Sequence, residues 1–181
     1  MSVNAAYVLH FWFHEIDSKL WFSKDAEFDE LVRTRFLEIH GQAMRGETYI
    51  WRRTPEGRLA EIILLDQFSR NMFRNRPESF ATDTLALVLA QEAISVGADL
   101  KISNEKKAFM YMPFMHSESL VIHEEAVKLF SQPGLEFNLD YEMKHKVIIE
   151  RFGRYPHRNA VLGRASSEEE LEFLSQPGSG F

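Results

Sequence analysis

Apolar residues recur at intervals of three and four along most of the chain, which is the spacing of one face of an α-helix. The clearest case is a helix predicted over residues 25–45, whose apolar stripe comprises Phe28, Leu31, Val32, Phe36 and Ile39. No alternating run of β-branched residues of useful length is present in the sequence. The pattern therefore predicts an all-α fold in which helices pack as antiparallel neighbours.

Start and stop signals divide this pattern into elements. Thr54 and Pro55 combine a capping hydroxyl with proline at the first helical position, and the helix they open is expected to run to about residue 73. Ser167 and Glu170 form a capping box for a short last helix. Other helices are predicted over 85–96, 103–112, 117–130 and from 138 or 140 to 155. Residues 1–176 are expected to form a single domain and 177–181 a flexible tail.

The segment LAEIILLDQFSRNMF, residues 59–73, is apolar on both sides of a helical wheel. Such a helix is expected to be surrounded by protein. Asp66 and Arg70 are four residues apart and fall within one of its apolar faces, so they point into the interior or into a cleft. Because isolated buried charges are costly, they need partners, and Gln67 and Asn71 can extend the network. The network either fixes only the packing of the helix or holds an arginine for a ligand.

The segment 144–164 carries six cationic residues against one acidic residue, although the chain has a formal net charge of −6. Within it, RFGRYPHRN places arginines, a histidine and an asparagine beside two aromatic residues. This concentration of donors predicts a polar pocket that receives an anionic group. The members of the predicted pocket are Arg151, Arg154, His157, Arg158 and Asn159. The alternative for Arg154 and Arg158 is a favourable interaction with the C-terminal end of a helix dipole.

A second polar cluster lies where one predicted helix gives way to the next. Ser117 is the expected N-cap, Glu118 falls in the first turn, and His116 lies just outside it. These residues either cap the helix or contribute to a site at its N-terminus, where backbone N–H groups favour anions.

Composition excludes several classes of protein. The chain has no cysteine, so disulfides, thiol nucleophiles and cysteine-ligated metals are excluded. The signatures of serine hydrolases, phosphate loops and dinucleotide sites are missing, and His10 and His14 lack a third ligand in sequence range, so neither a metal nor a cofactor is predicted. No apolar run is long enough to span a membrane, and no basic signal peptide precedes the first apolar run. A cytoplasmic protein is expected, and the acidic net charge makes nucleic acid an unfavoured partner.

Several long motifs resemble a known bacterial family. They are VLHFWF, WFSKDAEFDELVRTRF, LLDQFSRNMFR, FATD, YMPFMHSE and RFGRYPHRNAVLGR, in this order from residue 8 onward. The chain is similar in these motifs to the family listed as domain of unknown function 924. The resemblance implies a tetratricopeptide-like helical superhelix and no established activity. The chain departs from the expected pattern at His123, where the resemblance implies a glutamine.

Two functions follow from these patterns. The first is a pocket that binds a small phosphate- or carboxylate-bearing ligand, with or without catalysis. Its candidate catalytic residues are His116, Glu118 and His157, and its candidate ligand-binding residues are Asp66, Gln67, Arg70, Asn71, Arg151, Arg154, Arg158 and Asn159. The alternative is a tetratricopeptide-like scaffold that binds an acidic peptide in a groove. The sequence does not indicate an oligomeric state.

Overall fold

The regular structure of the chain is helical, as the spacing of apolar residues predicts. The structure is a computed structural model that describes residues 3–180. Within this part of the chain no strand is present, and the α-helices are α1 (Ala5–His10), α2 (Ala26–Met44), α3 (Pro55–Ile63), α4 (Ser69–Met72), α5 (Asp83–Ser95), α6 (Asn104–Met115), α7 (Leu120–Phe130), α8 (Glu136–Phe152) and α9 (Glu168–Leu174). Phe181, the last residue of the predicted tail, lies outside the described residues.

The helices form two compact units. One comprises the residues up to Arg74 together with Glu78–Pro113, and the other comprises Asn75–Pro77 together with the residues from Phe114 onward. The boundary falls within α6, after Pro113. Each unit is described by itself below. The tetratricopeptide-like superhelix stays a prediction.

The helix ends that depend on local capping lie where the sequence predicts them. The Thr54 side chain accepts a hydrogen bond from the Gly57 amide at 3.0 Å, and Pro55 takes the first helical position. At α9, Ser167 and Glu170 form a reciprocal capping box. These signals are reliable because each cap involves residues only three positions apart.

The predicted boundaries of three helices are wrong. Helix α8 runs over Glu136–Phe152 and not from 138 or 140 to 155, and Gly153, in the left-handed conformation, ends it. Helix α6 continues through Pro113 to Met115. Proline removes only one helical hydrogen bond, and burial of the flanking Met112 and Phe114 side chains offsets this loss. Helix α7 begins at Leu120 with Ser119 as its N-cap, so the predicted cap Ser117 lies outside the helix. The end of α6 and the start of α7 depend on packing against other segments, and the start and stop signals of one helix do not report such packing.

The first unit has an aromatic core crossed by two π-helical turns. The turns are Phe11–Glu15, which follows α1, and Leu64–Phe68, which joins α3 to α4. The ring centroids of Phe36 and Phe68 lie 4.6 Å apart in this core. Leu31, predicted to lie on the buried stripe of α2, is 37 % exposed, because the buried face is narrower than the predicted one.

The predicted burial of the segment 59–73 is confirmed through most of its length. Both sides of the segment are in contact with protein, and its fully buried side chains include Leu59, Ile62, Ile63, Leu64, Leu65 and Phe68. The predicted single helix is not regular throughout: α3 is followed by the π-helical turn Leu64–Phe68 and then by α4. No helix within residues 3–180 is both long and apolar enough to cross a membrane.

Helix α9 is fixed by one carboxylate with two functions. Glu170 Oε2 accepts a hydrogen bond from the Ser167 amide at 2.8 Å, which closes the capping box. The same carboxylate accepts Arg154 Nε at 2.7 Å and Arg154 Nη2 at 2.8 Å. The hydrogen bonds from Arg154, followed by that from the Ser167 amide, lower the pKa of Glu170 to about 2.

We expect Gly57→Ala to destabilise the first unit by about 3 kcal/mol, measured as the free energy of unfolding in urea. A Cβ at Gly57 would lie 2.0 Å from the Trp51 carbonyl oxygen, which is backbone and cannot rotate away. Gly41→Ala is the matched control, because its Cβ would meet no heavy atom closer than 3.5 Å and alanine favours a helix by about 1 kcal/mol. Equal effects of the two substitutions would contradict this account.

We expect Glu170→Gln to lower the free energy of unfolding by about 2 kcal/mol at pH 7, because it removes a charge-assisted pair of hydrogen bonds. A depressed pKa stabilises the fold above the unfolded value, and this contribution is lost as the pH falls. The difference from wild type should therefore shrink between pH 4.5, the ordinary value, and about 2. Glu169→Gln is the control, because Glu169 is 60 % exposed and its surface ion pair with Arg151 is worth at most about 1 kcal/mol. A difference that stays constant with pH would show that the charge of Glu170 is not responsible.

Candidate functional site

Asp66 occupies the π-turn between α3 and α4 and is fully buried, with 0 % of its surface exposed. Its Oδ2 accepts a hydrogen bond from Gln67 Nε2 at 2.6 Å, and its Oδ1 lies 3.3 Å from Arg70 Nη1. The contact between Asp66 and Arg70 that their spacing predicts is thus present. π-Turns inside α-helices occur frequently at functional sites, which makes this carboxylate notable.

Arg70 is held by a second carboxylate that the sequence analysis did not connect with it. Its Nη1 and Nη2 donate to Asp83 Oδ1 and Oδ2 at 2.9 and 3.0 Å, in a fork-to-fork pair. Nη1 also donates to the Asp66 carbonyl oxygen at 2.7 Å. An anion could reach this guanidinium only in competition with two carboxylates of the same unit.

Asn71 belongs to a neighbouring network of the first unit. Its Nδ2 donates to Asp29 Oδ1 at 2.9 Å, and Arg74 Nη2 donates to the same oxygen at 2.7 Å. Asp29 lies in the first turn of α2, 42 residues from Asn71 along the chain. These contacts join α2 to the end of α4 and satisfy both polar side chains.

Glu118 lies at the centre of the network in the second unit. Its Oε2 accepts from Arg164 Nη1 at 2.7 Å, and its Oε1 accepts from Arg164 Nη2 at 2.9 Å and from the Tyr155 amide at 2.7 Å. Burial opposes ionisation and is the largest single influence, but these hydrogen bonds and the charges of Arg158 and Arg164 together lower the pKa of Glu118 below its ordinary value. The catalytic role predicted for Glu118 stays a prediction, and its contacts favour a structural one.

Arg158 is placed by the 3₁₀ turn Pro156–Arg158 that follows α8. Its guanidinium carbon lies 4.5 Å from the centroid of the Tyr155 ring, and its Nη2 donates to the His116 carbonyl oxygen at 3.0 Å. The residue is only 6 % exposed. The structure thus brings three of the predicted site residues together, because Arg158 donates to the His116 carbonyl oxygen and Glu118 accepts the amide of Tyr155, which directly precedes the turn.

Three histidines of the second unit pack against the Tyr155 ring, and a fourth, His116, packs against one of them, His145; we call these five residues the tyrosine–histidine cluster. Its histidines are His116, His123, His145 and His157. His145 Nδ1 lies 2.7 Å from the Tyr141 carbonyl oxygen and therefore carries the hydrogen. Burial lowers the pKa of His145 to about 3, so its ring is neutral at pH 7. His116 and His157 are half-buried.

His123 forms the buried end of this cluster. Its Nδ1 lies 2.7 Å from Glu142 Oε1, and its Nε2 lies 2.8 Å from the Ser117 carbonyl oxygen and 3.1 Å from the Tyr155 hydroxyl. The Tyr155 hydroxyl donates to the Met115 carbonyl oxygen at 2.5 Å. His123 therefore connects α7, α8 and the segment that precedes α7.

The remaining predicted residues of the basic segment have partners within the second unit. Arg151 pairs with Glu169 at the surface, where its Nε donates at 2.8 Å, and Arg154 binds Glu170 as described above. Asn159 Oδ1 accepts from Arg164 Nε at 2.9 Å. Gln67, Asp66, Arg70 and Asn71 belong to the first unit, and the other predicted site residues belong to the second.

Sequence reasoning did not connect three members of the second network with the site. Tyr155 is fully buried, Arg164 lies in a motif of the family resemblance, and Glu142 lies in none of the motifs. Glu142 lies 19 residues from His123, and no local motif links them. Among residues 3–180, no group of three histidine, aspartate or glutamate side chains is placed to hold a metal ion.

Comparisons with known proteins match the chain to a family and to a solved structure. Residues 8–178 match a family described as "Bacterial protein of unknown function (DUF924)". The chain is similar to a solved structure from Agrobacterium tumefaciens, described as the protein of unknown function ATU0120. The two share 40 % identity and a TM-score of 0.89, over 94 % of this chain and 96 % of the other. No curated protein matches the chain. From the extent of the family match, the chain belongs to the DUF924 family of bacterial proteins.

Proposed function

We propose that the second unit binds a small anion, a phosphate- or carboxylate-bearing ligand, at Arg158 and the half-buried histidines beside it. The observation that carries the proposal is the setting of Arg158. Its guanidinium is buried, is supported by the Tyr155 ring and is oriented by a neutral carbonyl acceptor. Stacking of this kind presents a guanidinium in a fixed plane, which suits recognition of a planar or tetrahedral anion.

The balance of charge supports this choice. The network described for the second unit contains the guanidinium groups of Arg154, Arg158 and Arg164 and the carboxylates of Glu118 and Glu170. Arg154 and Arg164 each form two-point pairs with one of those carboxylates. The segment 144–164, which includes Arg158, carries six cationic residues against one acidic residue, and this excess of positive charge favours an anionic ligand.

Histidines extend the proposed site. His116 and His157 are half-buried and belong to the same cluster. A neutral imidazole can donate one hydrogen bond to a ligand, and below a pH of about 6.5 an ordinary histidine adds positive charge. If the ligand is transformed, these two side chains are the candidates for acid–base catalysis, because both oxygens of Glu118 are occupied.

The first unit supports anion binding less well. Arg70 is bound by Asp83 through two hydrogen bonds and by Asp66 through two more. Asn71 shares Asp29 with Arg74. Both arginines are already matched by carboxylates, and a ligand would have to displace one of these. We therefore assign this network a structural role, in which it satisfies the buried polar groups around the π-turn.

The scaffold alternative also has an observation in its favour. Phe137 and Tyr141 lie one helical turn apart on α8, with ring centroids 4.9 Å apart, and Phe137 is 65 % exposed. Lys144 Nζ lies 4.6 Å from the Tyr141 ring. An aromatic face beside a cation could bind a peptide that carries acidic and apolar residues. This face lacks the buried charge that supports the anion site, so it is the second candidate.

We expect Arg158→Met to weaken binding of phosphate or a small carboxylate about ten- to hundred-fold, because it removes charge-assisted hydrogen bonds worth about 1.5–3 kcal/mol. The measurement is the rise in melting temperature with millimolar ligand at low salt, followed by calorimetric titration. Arg151→Met is the matched control, because Arg151 is 45 % exposed and pairs with Glu169 at the surface.

Arg158→Lys is a second variant that keeps the positive charge and loses the planar fork, so it should bind the anion with intermediate affinity. The anion-binding proposal fails if no phosphorylated or carboxylated compound stabilises the wild-type protein. It also fails if Arg151→Met loses as much affinity as Arg158→Met. Saturable binding of an acidic peptide that Phe137→Ser abolishes, in the absence of small-anion binding, would favour the scaffold instead.

A further inference from the structure

His123 on α7 and Glu142 on α8 form an ionisable pair with no solvent contact. Both side chains are 0 % exposed, and Nδ1 lies 2.7 Å from Oε1. Such a pair can exist as an imidazolium with a carboxylate or as a neutral imidazole with a carboxylic acid. The two forms have the same number of protons and differ in where one proton resides.

The partners of the other ring nitrogen fix the tautomer of His123. Nε2 lies 2.8 Å from the Ser117 carbonyl oxygen, which can only accept a hydrogen bond. The Tyr155 hydroxyl, 3.1 Å from Nε2, donates its own hydrogen to the Met115 carbonyl oxygen. Nε2 must therefore carry a hydrogen. One further proton lies between Nδ1 and Glu142 Oε1.

The second oxygen of Glu142 indicates which form is present. Oε2 is buried and accepts no hydrogen bond from any residue in the described part of the chain. In a carboxylate this oxygen carries half of the negative charge, and burying it without a donor is costly. In a carboxylic acid whose Oε1–H donates to Nδ1, Oε2 is a carbonyl oxygen, for which the missing donor costs less.

Burial, the largest influence, raises the pKa of Glu142, against the opposing effects of the hydrogen bond and charge of His123 and the charge of Lys146. This direction agrees with the geometric argument. The charge of Lys146 acts on Glu142, and Tyr155 and His145 interact with His123. Further ionisable groups of the same segments are His116, Glu118, Glu124, His157 and Arg158.

We propose that His123 and Glu142 share one proton at neutral pH as an uncharged carboxylic acid–imidazole pair, and that Glu142 acts through His123 as a positioning residue of the anion site. His123 holds the Ser117 carbonyl group and the Tyr155 hydroxyl, and the Tyr155 ring in turn supports Arg158. The pair adds no negative charge to the part of the unit that receives the ligand. The positioning role rests on the function proposed above, whereas the protonation state does not.

The neutral pair makes stability depend on pH in a defined direction. In the unfolded chain an ordinary glutamate and histidine share no proton above a pH of about 6.5. The folded pair keeps one, so unfolding releases a proton. A raised pKa of this kind stabilises the fold at low pH, and the contribution is lost as the pH rises. The unfolding equilibrium constant should therefore increase about tenfold per pH unit above pH 7, until the folded pair loses its proton.

Glu142→Gln tests the protonation state, because a carboxamide has the shape of a carboxylic acid and can donate one N–H to Nδ1. We expect its unfolding constant in urea at pH 7 to match that of wild type within about tenfold, and to lack the tenfold increase per pH unit. Glu150→Gln is the matched control on the same helix, because Glu150 is exposed and pairs with Lys146, and it should keep the pH dependence of wild type.

Nitrogen-15 NMR of wild-type His123 gives a second readout that needs no variant. An unprotonated Nδ1 with a protonated Nε2 at pH 7 confirms the neutral pair. A protonated Nδ1 together with a carboxylate carbon shift for Glu142 overturns it. The same conclusion follows if Glu142→Gln and wild type show parallel pH profiles.

Sulfate, whose charge is constant over this range, is the probe for the positioning role. Its stabilisation of wild type should decline as the pH rises above 7 and Glu142 ionises, and should stay constant in Glu142→Gln. If sulfate stabilises both proteins equally at every pH, the positioning role is overturned. If sulfate stabilises neither, the anion site itself is overturned, and the protonation state is still decided by the NMR result.

Discussion

The carboxylate of Glu118 is the interaction on which the geometry of the second unit depends. It accepts the amide of Tyr155 and two N–H groups of Arg164, so it fixes the turn that follows α8. That turn places the Tyr155 ring, and the ring supports the guanidinium of Arg158. Glu118, a candidate catalytic residue in the sequence, therefore joins the turn after α8 to Arg164. Its low pKa keeps it ionised, as an anchor for an arginine must be.

In both units, arginines with low exposure lie within hydrogen-bond distance of polar partners, but the chemistry of these partners differs. In the first unit, Arg70 is clasped between Asp66 and Asp83, so its charge is matched by carboxylates. In the second unit, Arg158 stacks on the Tyr155 ring, donates to the His116 carbonyl oxygen and lowers the pKa of Glu118 through its charge. The two arginines therefore differ in the neutral groups that orient them.

The sequence predicted what local chemistry determines. The Thr54 cap, the capping box of Ser167 and the burial of residues 59–73 all depend on neighbours within one or two helical turns. The candidate residues His116 and Arg158 do meet, and no local pattern linked them to the buried Tyr155 ring on which Arg158 stacks. The pairing of Arg70 with Asp83 and of His123 with Glu142 could not be predicted, because each joins separate helical segments and depends on how they pack.

The π-turn at Leu64–Phe68 has a consequence for how this sequence can tolerate change in length. Such a turn is equivalent to an α-helix that has gained one residue. The widened turn absorbs that residue, so its loss would restore the α-helical path and leave Arg70 and Asn71 close to the faces on which they meet Asp83 and Asp29. Loss of a residue from the regular α-helical turns of α3 would instead rotate the residues that follow by about 100°. A one-residue deletion should therefore be tolerated within Leu64–Phe68 more readily than within α3.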